Sequence, residues 1–201
     1  THPAVKSVEQ VRVPLLSVGV HPDNRHGYLS RAHILTVAND MDAGAWVDNT
    51  GPIRVVRLRN NLPPEVIERA RGIRLAVFDV DGVLTDGRLY FAPEGPEMKV
   101  FHARDGLGIK LLRRHGIEVA VISGRQSPVV ARRMDALGVT HVYQGNDDKL
   151  PILRDLLKKL SLAPQACAYV GDDVIDLPPM SVAGLACTVA DAHPAVRRAA
   201  H

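Results

Sequence analysis

Residues 75–87 read Leu-Ala-Val-Phe-Asp-Val-Asp-Gly-Val-Leu-Thr-Asp-Gly, an apolar run that passes directly into a series of aspartates. The run 75–78 contains no polar side chain, which is typical of a strand covered on both faces in a parallel sheet. Comparable apolar runs recur at 119–122 and 166–170. This stretch therefore predicts a buried strand that ends where Asp79 and Asp81 begin.

Helical patterns separate these strands, with apolar positions that recur every three or four residues. The clearest are Leu107, Leu111 and Leu112 before Gly116, then Val130, Met134 and Leu137 between Ser127-Pro128 and Gly138, then Leu150, Leu153, Leu157 and Leu160. Strands and helices that alternate at this spacing predict an α/β fold. We expect a Rossmann-like parallel sheet with helices on both faces.

Two short strand-like pieces, 88–91 and 98–102, interrupt this alternation directly after the first strand. They flank Pro93-Glu94-Gly95-Pro96, a sequence rich in turn-forming residues. We expect a β-hairpin flap at this position instead of a large inserted cap domain.

The composition excludes several classes of protein. The 201 residues carry a net charge of only +3 and 4% aromatic residues, which does not favour a nucleic-acid-binding surface. No run approaches the ~20 apolar residues of a membrane span, and no signal-peptide pattern opens the chain. We therefore expect a cytoplasmic protein with no nucleic-acid or membrane partner.

The two cysteines, Cys167 and Cys187, each lie inside an apolar run. Buried free thiols are the favoured interpretation, and a single disulfide is the alternative.

Residues 1–61 differ from the rest of the chain because their apolar runs are short and are broken by proline and glycine. His21, His26 and His33 match no metal-ligand spacing, so scattered surface histidines are favoured over a metal site. We expect two parts, a segment 1–61 without an assigned role and one α/β domain over 62–201.

Acidic residues follow two of the predicted strands. Asp79 and Asp81 come after the first strand, and Asp172 and Asp173 come after the strand at 166–170. Ligands of open α/β sheets bind outside the carboxyl ends of the strands. Clustered carboxylates repel one another unless a cation lies among them, and a set of oxygen ligands favours Mg²⁺.

Two other groups complete this edge of the predicted sheet. Ser123 follows the strand at 119–122, and Lys149 follows a fourth strand-like stretch, 141–144. Carboxylates, a hydroxyl, a lysine and a divalent metal at one edge are the groups that phosphoryl transfer needs.

In order, the sequence 79–85, Ser123, Lys149 and Asp172-Asp173 resemble the four motifs of the haloacid dehalogenase superfamily of phosphohydrolases. One family within it, phosphatases of 3-deoxy-D-manno-octulosonate 8-phosphate, an intermediate of lipopolysaccharide sugar synthesis, is similar to this chain in several sequences. These are 79–87, 99–106, 122–125, 143–145, 169–173 with Asp176, 183–185 and 190–194. The resemblance covers about residues 62–201 and implies a haloacid dehalogenase-type fold without a large cap.

The resemblance also implies catalytic roles. Asp79 would attack phosphorus, and Asp81 would protonate the leaving oxygen and then activate water. The carboxylates of Asp79 and Asp172, with the main-chain carbonyl of Asp81, would bind Mg²⁺. Ser123 and Lys149 would hold the phosphoryl oxygens.

The substrate implied is a small anionic sugar phosphate. Its binding residues would be Asp81, His102, Arg104, Asp105, Gly106, Lys110, Arg125, Arg133 and Lys149. His102 stands where asparagine is usual and Lys110 where arginine is usual, which leaves a related sugar acid phosphate such as N-acylneuraminate 9-phosphate as an alternative. Arg104 and Lys110 are also compatible with plain surface charges.

Three further expectations concern the end of the domain and its assembly. Asp176 is expected to orient a neighbour or cap a helix instead of binding metal. Relatives continue past Ala190–Pro194 into a tail, which predicts a missing C-terminal tail and leaves a non-catalytic truncated member as an alternative. We expect a homo-oligomer, a tetramer as in the family, in which the flap of one subunit closes a neighbour's site.

Overall fold

Five parallel strands form one sheet in the computed structural model, which describes residues 63–91, 94–95 and 97–201. The strands are β1 (Leu75–Phe78), β2 (Glu118–Ser123), β3 (His141–Gln144), β4 (Cys167–Gly171) and β5 (Leu185–Thr188), in the order β3-β2-β1-β4-β5. The predicted parallel sheet is confirmed. Strand β5 was not predicted, because only four residues of moderate hydrophobicity mark it. The predictions for residues 1–61, His21, His26 and His33 among them, lie outside the described residues.

The helices are α1 (Pro64–Arg71), α2 (Ala103–Arg114), α3 (Pro128–Leu137), α4 (Lys149–Lys159), α5 (Leu177–Val182) and α6 (Pro194–Ala199). Single 3₁₀ turns lie at Pro164–Ala166 and Val174–Asp176. Gly138 ends α3 in the left-handed region at φ 72°, as the sequence predicts. Ser127 precedes α3 in an extended conformation, but its hydroxyl caps no backbone N–H, so the fixed backbone of Pro128 starts this helix alone.

Helices cover both faces of the sheet because the side chains of each strand alternate between them. Along β1, Phe78 packs in one apolar core with Ile109 of α2 and Met134 of α3. Val77 packs in a second core, on the other face, with Leu153 of α4. The central strand is therefore buried on both sides, as its uninterrupted apolar run predicts.

The two cysteines belong to different cores, Cys187 to the first and Cys167 to the second. Their thiols lie on opposite faces of the sheet, so they cannot form a disulfide, and both are free and buried. Burial raises the pKa of each thiol to about 12. The prediction of free thiols is confirmed.

The flap, residues 88–102, is paired less extensively than the predicted hairpin. Tyr90 and Met98 form one antiparallel bridge, in which the Met98 N–H donates to the Tyr90 carbonyl at 3.1 Å. Leu89, Phe91 and Val100 are exposed, so no apolar layer of the described chain covers the flap. A longer ladder without such cover is marginal in water, which accounts for the single bridge among the flap residues that the structure describes.

None of the described helices has both the length and the hydropathy that crossing a membrane requires.

Asp105 is a buried acid in the first turn of α2. Its residue is 3% exposed, and neither carboxylate oxygen has a hydrogen-bond partner. Burial raises the pKa of Asp105 to about 7, against the opposite pull of the Arg133 and Arg104 charges. The folded chain therefore holds this proton over a pH range in which the unfolded chain has lost it.

We expect the stability difference between Asp105→Asn and wild type to depend on pH. Because the raised pKa makes the folded state bind more protons between about pH 4 and pH 7, wild type loses stability as pH rises through that window. The neutral asparagine carries no such cost, so the variant gains about 1 to 3 kcal/mol relative to wild type between pH 4 and pH 8. Urea unfolding of both proteins across this range measures the difference. Asp135→Asn, at an exposed position of α3, is the control, and a pH-independent difference for Asp105→Asn would contradict the assignment.

Candidate active site

The predicted catalytic positions lie at one edge of the sheet, at the carboxyl ends of the strands. Phe78 pairs with Val121 of β2 and with Val170 of β4, so the three strands end at nearly the same level. Asp79 directly follows β1, Ser123 is the last residue of β2, and Asp172 follows β4. The register therefore brings residues that are 93 positions apart in sequence, Asp79 and Asp172, to the same edge.

Lys149, the first residue of α4, connects two of the carboxylates. Its Nζ lies 2.9 Å from Asp79 Oδ1 and 2.7 Å from Asp176 Oδ1, and the Lys149 and Asp176 side chains are fully buried. Burial opposes the charge of Lys149, but the carboxylates of Asp79 and Asp176 outweigh it and raise the lysine pKa. Lys149 is thus a buried cation that touches the predicted nucleophile.

Asp176 receives four donors and has no oxygen left unpaired. Lys149 Nζ and the Tyr169 hydroxyl, at 2.9 Å, both donate to Oδ1, and the backbone N–H groups of Asp172 and Asp173 donate to Oδ2. Asp176 therefore orients Lys149 and the loop after β4, one of the two roles the sequence predicts. It makes no side-chain cap to α5, but it forms a capping box with Asp173 at the preceding 3₁₀ turn, where its carboxylate accepts the Asp173 N–H.

Asp172 differs from Asp176 because part of its carboxylate has no partner. Its Oδ1 is buried and accepts no hydrogen bond. Burial, followed by the charges of Asp79 and Asp176, raises the pKa of Asp172 to about 7. Burial also raises the pKa of Asp79 to about 6, although Lys149 opposes this. Both carboxylates thus lie where their negative charge is incompletely balanced.

These residues fit a divalent cation. Asp79, Asp172 and Asp176 offer carboxylate oxygens within 4.8 Å of one another, and Lys149 is the one ammonium in direct contact with them among the described residues. Three carboxylates and one lysine leave an excess of negative charge, and an oxygen-only donor set is the one Mg²⁺ prefers. Asp79 and the unpaired oxygen of Asp172 are the side-chain groups best placed to hold the ion.

Gly82 makes this approach possible. Its φ is +95°, and a Cβ atom there would lie 1.9 Å from Asp172 Oδ2. The turn after β1 therefore requires glycine both for its backbone conformation and for the space that Asp172 occupies.

Asp81 belongs to a second, neighbouring network that includes the flap. Lys99 Nζ contacts Asp81 Oδ1, and Arg125 Nε lies 3.7 Å from Asp81 Oδ2. Glu97 in turn accepts a hydrogen bond from the Arg125 guanidinium at 3.2 Å. The Ser127 hydroxyl, Arg125 and Lys99 together lower the pKa of Glu97, so this network contains two anions and two cations.

The predicted residues of α2 and α3 form a separate group. His102 Nδ1 accepts the Arg104 N–H at 3.0 Å and so caps α2. The Arg133 guanidinium lies 5.9 Å from the Phe101 ring centroid. A Cβ atom on Gly106 would lie 2.4 Å from Arg133 Nη2, so glycine leaves the space that this guanidinium occupies. Arg104 and Lys110 are exposed, and Asp105 is buried. Within the described part of the chain, no hydrogen bond or ion pair joins these residues to Asp79 or Lys149.

Sequence reasoning missed three groups of the site, Tyr169, Glu97 and Lys99. Tyr169 reads as one more member of a buried apolar strand, although its hydroxyl is the only side-chain polar group in the run 166–170 apart from a thiol. Glu97 and Lys99 are two residues apart in an extended segment, a spacing that places both side chains on one side. That spacing is a signal that could have been used.

We expect Mg²⁺ to raise the melting temperature of wild type and of Asp173→Asn but not of Asp172→Asn. The reason is that Asp172 presents the unpaired buried oxygen, whereas Asp173 is exposed and caps a turn, a role that asparagine also fills. An ion at 100 times its Kd stabilises the protein that binds it by about 2.7 kcal/mol. Thermal unfolding with and without Mg²⁺ measures this, and an equal shift in all three proteins would contradict the assignment.

Comparison with known proteins identifies the family of the chain. Residues 103–184 match the family model of haloacid dehalogenase-like hydrolases. Over 130 residues the chain is 52% identical to the 3-deoxy-D-manno-octulosonate 8-phosphate phosphatase KdsC of Escherichia coli (strain K12). The matched residues make up 65% of this chain and 69% of that protein.

Solved structures show the same relationship. The 3-deoxy-D-manno-octulosonate 8-phosphate phosphatase of Yersinia pestis is 47% identical with a TM-score of 0.68, over 69% of this chain and 75% of that one. The enzyme of that name from Moraxella catarrhalis, in complex with magnesium, phosphate and KDO, is 42% identical with a TM-score of 0.67. That match covers 68% of this chain and 78% of the Moraxella chain. The chain belongs to the haloacid dehalogenase-like hydrolases, within the family of 3-deoxy-D-manno-octulosonate 8-phosphate phosphatases.

Proposed function

We propose that this protein hydrolyses 3-deoxy-D-manno-octulosonate 8-phosphate to 3-deoxy-D-manno-octulosonate and phosphate, in lipopolysaccharide sugar synthesis. The observation that carries the proposal is the buried contact of Lys149 with Asp79, beside the unpaired carboxylate oxygen of Asp172. It supports the assignment of Asp79 as nucleophile, Lys149 as phosphate-binding cation and Asp172 as metal ligand at one sheet edge. The relatives named above, which share about half of the matched residues, support the substrate.

In the first step, an Asp79 oxygen attacks phosphorus and the bond from phosphorus to the sugar oxygen breaks. Asp81, which must be protonated in the complex with substrate, gives its proton to that oxygen, so the sugar leaves as an alcohol and Asp79 carries the phosphoryl group. Dividing one difficult displacement into two easier ones is the advantage of a covalent intermediate.

In the second step, water attacks the phosphorus of the aspartyl-phosphate. Asp81, now ionised, accepts a proton from this water, and the bond between phosphorus and the Asp79 oxygen breaks. Phosphate leaves, and both aspartates return to their starting states. One residue thus serves as acid and then as base.

The Lys149 ammonium and the Ser123 hydroxyl can both donate hydrogen bonds to the phosphoryl oxygens in the two steps. Lys149 is fixed by Asp176, so its ammonium needs no reorganisation when negative charge develops. When bound, Mg²⁺ supplies positive charge that balances the carboxylates and the phosphoryl oxygens.

Recognition of the sugar acid is assigned to the predicted set of His102, Arg104, Asp105, Gly106, Lys110, Arg125 and Arg133. Histidine in place of asparagine at 102 retains one function, because both can cap a helix and His102 caps α2. Lys110 lacks the bidentate fork of an arginine, so the carboxylate of the sugar would be held less specifically.

The assembly belongs to the same proposal. We infer a homotetramer in which the flap covers the site of a neighbouring subunit, in the cytoplasm. The exposed apolar side chains of the flap support this, since Phe91 is 70% exposed and Val100 is 62% exposed. The two unpaired cysteines agree with a reducing compartment.

We expect Mg²⁺-dependent phosphate release from 3-deoxy-D-manno-octulosonate 8-phosphate, with a higher kcat/KM than for N-acylneuraminate 9-phosphate. Asp79→Asn should lower kcat/KM for 3-deoxy-D-manno-octulosonate 8-phosphate by at least about 10³-fold, because the amide cannot form the covalent intermediate. Asp135→Asn, on the exposed face of α3, is the matched control. A preference for the second substrate would assign the alternative sugar acid, and no difference between wild type and Asp79→Asn would indicate a non-catalytic member.

We expect light scattering to give the mass of a tetramer for wild type and a smaller mass for Phe91→Glu. A charge in the centre of an apolar contact removes its hydrophobic contribution and adds a desolvation cost. Arg88→Glu, a substitution at a flap residue that is already charged and exposed, is the control. A fully active wild-type monomer would contradict the proposed assembly.

A further inference from the structure

Lys99 of the flap is a buried lysine whose partners are two carboxylates. Its side chain is 2% exposed, its Nζ contacts Asp81 Oδ1, and Glu97 Oε1 lies 3.7 Å from the same nitrogen. A buried ammonium is costly unless it is paired, so these two anions are what permits Lys99 to be inside. The flap thus reaches the site through a charge, not through an apolar contact.

Glu97 ties this contact to the sheet. Its second oxygen accepts a hydrogen bond from Arg125, which follows β2, and Arg125 Nε also faces Asp81 at 3.7 Å. Asp81 and Glu97 are therefore both bridged by two cations, one from the flap and one from the sheet. Four side chains close a ring that joins the turn after β1, the end of β2 and the flap.

The Asp81 carboxylate has no comparable restraint of its own. Asp81 is partly exposed and, unlike Asp79, makes no contact with Lys149. Within the described residues, Lys99 is the group in direct contact with its Oδ1, and Arg125 lies farther away. The direction in which Asp81 points is consequently set by the flap.

We propose that Lys99, held by Glu97, is a positioning residue for Asp81, so that docking of the flap places the acid that protonates the leaving oxygen. This inference rests on the proposed function, because it takes Asp81 as that acid. Lys99 itself needs no contact with substrate. The flap then has a catalytic consequence within its own subunit, separate from any cover it gives to a neighbour.

The proposal makes a prediction that depends on the leaving group. When the bond between phosphorus and the sugar oxygen breaks, the alcohol must receive the Asp81 proton, so misplacing Asp81 slows this step. When the leaving group is 4-nitrophenolate, it departs without a proton, and misplacing Asp81 has little effect on the same step. A merely structural loss would slow both substrates alike.

We expect Lys99→Met to lower kcat/KM for the sugar acid phosphate about tenfold or more, and for 4-nitrophenyl phosphate less than about twofold. Lys99→Arg keeps the charge and should recover most of the difference. Lys158→Met, on the exposed face of α4, is the matched control and should change neither value. The parameter kcat/KM is chosen because it reports the steps up to formation of the aspartyl-phosphate.

Hydrogen exchange of the metal-free protein gives a readout independent of activity. In Lys99→Met, the amides of 97–101, including the Met98 N–H bonded to Tyr90, should exchange about tenfold faster, while those of β1 and β4 stay protected. Unchanged protection of β1 and β4 also shows that the variant is folded.

Asp81→Asn separates failure of this inference from failure of the proposed function. If Asp81→Asn shows the leaving-group dependence and Lys99→Met does not, the positioning role is wrong and the role of Asp81 stands. If Asp81→Asn slows both substrates equally, the acid role of Asp81 is wrong, and the inference is overturned with it. Equal losses for both substrates in Lys99→Met, or unchanged exchange in the flap, would also overturn it.

Discussion

Lys149 lies fully buried between Asp79 and Asp176, and its charge allows the acidic ends of β1 and β4 to lie side by side. Without it, three carboxylates within 4.8 Å would repel one another in a setting that already penalises charge. Asp176 is saturated by four donors and so holds the lysine in place. The ammonium is thereby oriented toward Asp79 before any substrate arrives.

The carboxylates of this cluster carry more negative charge than Lys149 balances. Burial raises the pKa of Asp79 to about 6 and that of Asp172 to about 7, and the neighbouring carboxylates add to this effect. One lysine does not compensate three carboxylates, and this excess of negative charge attracts a divalent cation. The charge of the site is therefore poorly balanced by its own residues, which suits a metal and a phosphoryl group.

The flap adds a second charged network without lengthening the sheet. Its described residues are paired at one bridge, between Tyr90 and Met98, and Phe91 and Val100 face outward. Its connection to the site is instead ionic, through Lys99 and Asp81. A weakly paired segment held by charge can be ordered or released at small cost, which would suit the acid role proposed for Asp81.

Much of this architecture was predictable from local signals. The run 75–78 is apolar at every position, so burial on both faces follows directly, and Gly138 ends its helix as expected. Strand β5 was missed because, unlike the four apolar residues of β1, its residues Leu-Ala-Cys-Thr include only one large apolar side chain. The extent of pairing in the flap could not be predicted, because turn residues indicate where a chain reverses, but the length of a ladder depends on what packs against it.

The amino-acid sequence by itself determined the α/β class, the reaction chemistry available and the order of the motifs, because these depend on residue type and spacing along the chain. Only the tertiary structure decided which charges touch. It placed Lys149 between Asp79 and Asp176 and left one oxygen of Asp172 without a hydrogen bond. It also paired Asp81 with Lys99 of the flap. The physical reason is that an ion pair depends on distances of a few ångströms between segments far apart in sequence, and these are set by strand register and burial.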